Sequence, residues 1–95
     1  MYLMISTYVA PLAEVDAARV DHLAYLQELE SRGLVVTAGR QDPPAGGVVI
    51  LAADSEAEAQ ELISQDPYVL RGLAEYRAIG WQPTRGALAD WKRPA

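Results

Sequence analysis

The period of apolar and polar positions changes repeatedly along this chain, and each change predicts an element. Tyr2 to Val9 is dense in β-branched and aromatic residues and runs into Pro11, which predicts a strand. Leu3, Ile5, Thr7 and Val9 would share one face, and Tyr2, Met4, Ser6 and Tyr8 the other. Neither face is charged, so cover is expected on both. From about Glu14 to Arg32 the spacing turns helical. Val15, Ala18, His22, Leu26 and Leu29 fall on one stripe, with Arg19 and Leu23 beside it. Glu14, Asp16 and Asp21 toward the start and Arg32 in the last turn suit the helix dipole. Gly33 is a natural stop, because it reaches the left-handed conformation without a Cβ clash. His22 sits near the middle of the apolar stripe, where a surface histidine does not belong.

Leu34 to Ala38 predicts a second strand, Gly39 to Gly47 a loop rich in glycine and proline, and the apolar run Val48 to Ala53 a third strand. The loop would carry a polar cluster, Arg40, Gln41 and Asp42, able to hang over a pocket mouth or simply to sit in solvent. Ser55 and Glu58 form a capping box for a helix to about Gln65 that would bury Ala59, Leu62 and Ile63. Pro67 ends it. A helical turn over Pro67 to Arg71 is expected to stop at Gly72, followed by a fourth strand from Leu73 to Trp81. Thr84 to Ala95 shows no regular pattern, yet carries Trp91, which should dock on its own or a partner subunit.

The order β-α-β-β-α-β predicts an α+β, ferredoxin-like domain: a four-stranded antiparallel sheet with both helices on one face. We read residues 1–95 as one domain, with 1–82 as its core and 83–95 as a tail. The uncovered sheet face would carry Met4 and the Val48–Ala53 run, and such an apolar face predicts a sheet-to-sheet homodimer. Ninety-five residues, 51% apolar and 22% charged, suffice for one packed core, and so small a domain gains from association. The net charge of −5 argues against nucleic acid and anionic membrane as partners. Without cysteine there is neither a disulfide framework nor a thiol nucleophile. Met1 to Val9 is too short to span a bilayer and lacks a positive leader region, so the cytoplasm is the expected location.

The chemistry available is narrow. One histidine with scattered carboxylates matches no zinc spacing, no phosphate-binding glycine loop is present, and nothing resembles a nucleophile elbow. No metal and no cofactor is expected. His22 and Asp66 remain. A carboxylate bonded to one imidazole nitrogen fixes the tautomer and supports the protonated form, and such a pair can move a proton in a shielded pocket. Each residue has a structural alternative: His22 as a buried histidine bonded to a backbone carbonyl, Asp66 as the N-cap of the turn that Pro67 begins. Tyr8, Tyr25, Tyr68 and Tyr76 would line a pocket or fill the core.

The segment Arg19-Val20-Asp21-His22-Leu23-Ala24-Tyr25-Leu26, then Gly33, Ala38-Gly39 and Asp66-Pro67-Tyr68-Val69 with Gly72-Leu73, resembles the YciI-like (YCII-related) proteins over residues 1–82. The resemblance implies a ferredoxin-like fold that dimerises as an α/β barrel, with an active site on His22 and Asp66. Arg19 matches the family's arginine one helical turn before the histidine. Arg40 stands where the family commonly has proline, which would change the charge of the pocket lining. Relatives include a dehydrochlorinase acting on a chlorinated hydroxyquinol. The expectation is a cofactor-free enzyme of lyase or isomerase type acting on a small cyclic or aromatic substrate. His22 and Asp66 would be catalytic, and Arg19, Arg40, Tyr68 and Tyr8 would bind substrate. The alternative is a non-catalytic ligand-binding or assembly module using the same pocket. A monooxygenase reading, cofactor-free or haem-handling, rests on fold analogy alone.

Overall fold

The computed structural model describes residues 1–94. Its elements are β1 (Tyr2–Tyr8), α1 (Leu12–Ala17), α2 (Arg19–Ser31), β2 (Val35–Arg40), β3 (Gly47–Leu51), α3 (Glu56–Ser64), α4 (Pro67–Leu70) and β4 (Ala74–Gly80). The strands form one antiparallel sheet in the order β2-β3-β1-β4, the arrangement of a split βαβ fold.

Alternation along β1 decides what is buried. Met4 pairs with Val49 on one side and Ala78 on the other, and all three face the helices. Met4, Val49 and Leu51 meet Leu26 and Leu29 of α2 and Ala59 and Ile63 of α3 in the main core. Each of the Met, Val, Leu and Ile side chains among them contributes about 1.5–3 kcal/mol by leaving water. A smaller cluster at the other end of the helical layer joins Val15 and Ala18 to Tyr68, Leu73 and Ala74. His22 follows Ala18 by one turn and precedes Leu26 by one, so it lies between the two clusters.

Local signals set the boundaries. The Ser55 side chain accepts from the Glu58 amide at 3.1 Å and caps α3. Gly33 follows α2 with φ of 73°, a conformation that favours glycine. Gly46 is buried against β1, where an added Cβ would lie 1.9 Å from the Ser6 carbonyl oxygen. Only glycine lets the β2–β3 connection approach β1 so closely.

Several expectations are corrected. Met4 does not sit on the uncovered face but is wholly buried under the helices. The register places Leu3, Ile5, Val48, Ile50 and Ile79 on the uncovered face instead, so only alternate residues of the Val48–Ala53 run contribute to it. The single helix expected from Glu14 to Arg32 is two. At Ala18 the amide bonds to the Val15 carbonyl at 3.0 Å, a tighter turn than an α-helix makes. No glycine or proline marks that break; Ala18, where it falls, is buried in the smaller cluster. Strand β2 runs two residues further than expected, because Gly39 and Arg40 pair with Val48 and Gly47 and the ladder outweighs glycine's low strand preference. Strand β3 stops at Leu51, where the Ala52 amide turns to the Leu34 carbonyl.

The tail crosses the end of the sheet where β1 begins. Arg93 forms ion pairs with Asp54 at 3.0 Å and Glu58 at 2.9 Å, Pro94 lies against Gly33, and Trp91 is half-buried. Ala95 lies outside the described residues. Among the described residues, no helix is long and apolar enough to cross a membrane.

Candidate active site

Asp66 is the wholly buried carboxylate of the fold. It precedes Pro67, whose missing amide suits the first helical position, and its Oδ1 accepts from the Tyr68 amide at 3.0 Å to cap α4. The same carboxylate receives His22 Nδ1 at 2.8 Å on Oδ1 and 2.9 Å on Oδ2. The Tyr76 hydroxyl donates to Oδ2 at 3.0 Å. The structural alternative for Asp66 and its pairing with His22 therefore coexist in one side chain. The backbone of α4 fixes the carboxylate, and the carboxylate fixes the imidazole.

This arrangement dictates the histidine's tautomer. A carboxylate already accepting from an amide and a phenol is arranged as an acceptor, so the hydrogen is assigned to His22 Nδ1. Among the described residues the other ring nitrogen, Nε2, has no hydrogen-bond partner, and His22 lines the neighbouring cavity. The imidazole stacks flat on the Tyr68 ring, with centroids 3.9 Å apart and planes 6° from parallel. Tyr68 in turn meets Tyr8 edge to face at 5.9 Å. The His22 side chain is 12% exposed, which leaves it in contact with the cavity but largely shielded from water.

The cavity beside it holds about 170 Å³ and lies between α2 and the helix-facing side of the sheet. A cavity of about 150 Å³ is enough for a single benzene ring. Leu23, Leu26 and Val49 supply apolar wall, while Ser6, Tyr8, Tyr68 and Tyr76 supply hydroxyl-bearing side chains. Arg19 and Arg40 bring positive charge to it. Arg40 Nε donates to the Tyr8 hydroxyl at 3.1 Å, its guanidinium carbon lies 5.5 Å from the Tyr8 ring centroid, and its terminal nitrogen pairs with Asp16 of α1. Those bonds, to Asp16 first and Tyr8 second, push an already high pKa further up, so Arg40 is a permanent cation. Among the described residues no carboxylate pairs with Arg19.

Burial, then the negative charge of Asp66, then the hydrogen bond to it, push the Tyr76 phenol far above its ordinary pKa. Burial first and the Tyr8 hydroxyl second raise Tyr68. Both phenols are therefore neutral hydrogen-bond donors near neutral pH.

The structure gathers all six expected site residues, His22, Asp66, Arg19, Arg40, Tyr68 and Tyr8, around this one place. Arg40 arrives from the end of β2 rather than from a loop. Gln41 does not overhang the cavity; its amide nitrogen bonds the Ser6 and Gly47 carbonyls. Tyr25 faces elsewhere and donates to the Leu62 carbonyl. Ser6 was not anticipated, although it shares the helix-facing side of β1 with Met4 and Tyr8, a signal that was available. Asp16 was anticipated only as a dipole partner, and its contact with Arg40 needs the fold. Among the described residues, no three histidine or acidic side chains converge as metal ligands would.

The fold is a ferredoxin-like α+β sheet with its helices on one face. The sequence profile of the YCII-related domain matches residues 1–82, and the chain belongs to that family. Among solved structures it is similar to 5-chloro-2-hydroxyhydroquinone dehydrochlorinase from Burkholderia phenoliruptrix AC1100, determined in complex with 2,5-dihydroxybenzoquinone. The TM-score is 0.70 at 23% identity, over 86% of this chain and 94% of that one. Comparison with curated proteins returned no significant match.

Proposed function

We propose that this protein is a cofactor-independent enzyme that moves a proton on a small cyclic or aromatic substrate, in an elimination or an isomerisation. The observation that carries this reading is the His22–Asp66 pair, with a buried carboxylate on Nδ1 and the opposite ring nitrogen left for a ligand in the cavity. His22 acts as the general base, a role worth about 10²–10⁴-fold in rate. Asp66 holds the ring in that tautomer and stabilises the imidazolium as it forms. The cavity volume suits one ring. Arg19 and Arg40 hold an anionic substituent, Tyr8 hydrogen-bonds it, and Tyr68 supports both imidazole and substrate as a flat wall.

Similarity in fold to a dehydrochlorinase adds weight to elimination of chloride. Incubation with 5-chloro-2-hydroxyhydroquinone tests this first. The reading expects chloride release that His22→Asn abolishes while folding is retained. Release at the same rate in the variant would sink it, and binding without any turnover would favour a ligand-binding module instead.

The reading includes a homodimer joined through the uncovered sheet face, where Leu3, Ile5, Val48, Ile50 and Ile79 lie together and Ile79 is 39% exposed. A specific interface there would bury more than about 1,000 Å². Sedimentation at micromolar concentration should give twice the chain mass; a monomer alone would contradict the dimer.

A further inference from the structure

Tyr76 stands apart from the residues so far given a role. It belongs to β4, shares the helix-facing side with Ala74 and Ala78, and reaches the cavity from the floor opposite α2. Its hydroxyl donates to Asp66 Oδ2, whereas the Tyr68 amide donates to Oδ1, and His22 Nδ1 lies within 0.1 Å of equidistant from the two oxygens. The amide alone would leave Asp66 free to swing its second oxygen away from the imidazole. With the phenol on that oxygen, each carboxylate oxygen has its own fixed donor besides the histidine.

We propose that Tyr76 is a positioning residue of the site: its hydroxyl locks the Asp66 carboxylate in the plane that receives His22 Nδ1, and so keeps Nε2 presented to the cavity. The proposal rests on the proton-transfer reading above for its consequence in catalysis, but its physical content is independent of any substrate. A phenol suits the task. It donates strongly to a carboxylate, and its raised pKa keeps it from becoming a second anion beside Asp66. Its ring also fills space between the main core and the cavity, where a smaller donor would leave a void.

The test reads the histidine without a substrate. In ¹⁵N-labelled protein, His22 is the only histidine, so its two ring nitrogens and the Nδ1 hydrogen are assigned without ambiguity. Tyr76→Phe removes one oxygen and keeps the ring; Tyr76→Met is a second variant with an apolar filler. In either folded variant the Nδ1 hydrogen should exchange with water at least about tenfold faster, the factor expected on losing a hydrogen bond to a charged group. The ring-nitrogen shifts should also move toward a mixture of tautomers. Asp66→Asn supplies the reference for loss of the partner's negative charge. Ring-nitrogen shifts and exchange unchanged from the parent protein, in a variant that has merely lost stability, would overturn the proposal. If the nitrogen signals respond but no turnover is ever found, the positioning role stands and the enzymatic reading fails.

Discussion

The two ends of the sheet are built on different principles. Where β1 ends, a buried carboxylate, an imidazole, a phenol and a helical cap share hydrogen bonds beside a cavity. Where β1 begins, the tail is held by an arginine between two surface carboxylates and a proline against Gly33. Removing one partner from a buried set strands the others, at about 1–3 kcal/mol for each unsatisfied group. Removing a surface partner returns its neighbours to water at about 0–1 kcal/mol. The same interaction types therefore carry different weight at the two ends, and the costly arrangement is the one to which we assign the chemistry.

Asp66→Ala should break the comparison open most visibly. It leaves His22, the Tyr76 hydroxyl and the Tyr68 amide without their acceptor, and about 3–5 kcal/mol of destabilisation is expected from chemical denaturation. A loss below about 1 kcal/mol would place the site end on the same footing as the tail.

An alkaline titration sharpens the contrast next. The Tyr76 phenol has a folded pKa raised above its unfolded value of 10.0, so it stabilises the fold fully below that pH and loses its contribution as pH climbs toward the folded value. Stability should fall above about pH 10 by up to about 1.4 kcal/mol per pH unit from this group. In Tyr76→Phe that part of the slope should disappear, while Tyr25 and Tyr68, also raised, keep theirs. Parallel slopes in the two proteins would contradict the assignment.

The smallest effect belongs to the tail. Ending the chain after Pro83 removes Arg93, Trp91 and Pro94, and a loss of about 1 kcal/mol, or roughly 4–8 °C in Tm, is expected for a domain of this size. The His22 ring-nitrogen shifts should not change, because the tail lies at the far end of the sheet.

Much of this molecule was legible before its structure. The order of elements, the capping residues Ser55 and Asp66 and the stop at Gly33 follow from local signals within a few residues of one another. The histidine in an apolar stripe and the Asp-Pro turn marked the two residues that meet. What could not be read depended on pairing between distant segments. Alternation along β1 defines two faces without saying which one the helices cover, so the side of Met4 is not legible in the sequence. The glycine and proline around Arg40 read as a loop, and only its pairing with Gly47 reveals that β2 continues. The break at Ala18 has no local marker at all. Tyr76 was legible as a pocket-lining candidate, but its bond to Asp66 joins β4 to the start of α4 and exists only in the folded chain.

The central claim is that His22 takes a proton from a bound ring compound. Hydrogen exchange in D₂O tests it most directly, with cyclic ketones, phenols and hydroxyquinols screened by mass spectrometry for deuterium entering at carbon. The account predicts at least one compound whose exchange the protein accelerates by about 10²-fold or more, with the acceleration lost in His22→Asn and the folded structure intact. Acceleration that survives in His22→Asn would contradict it.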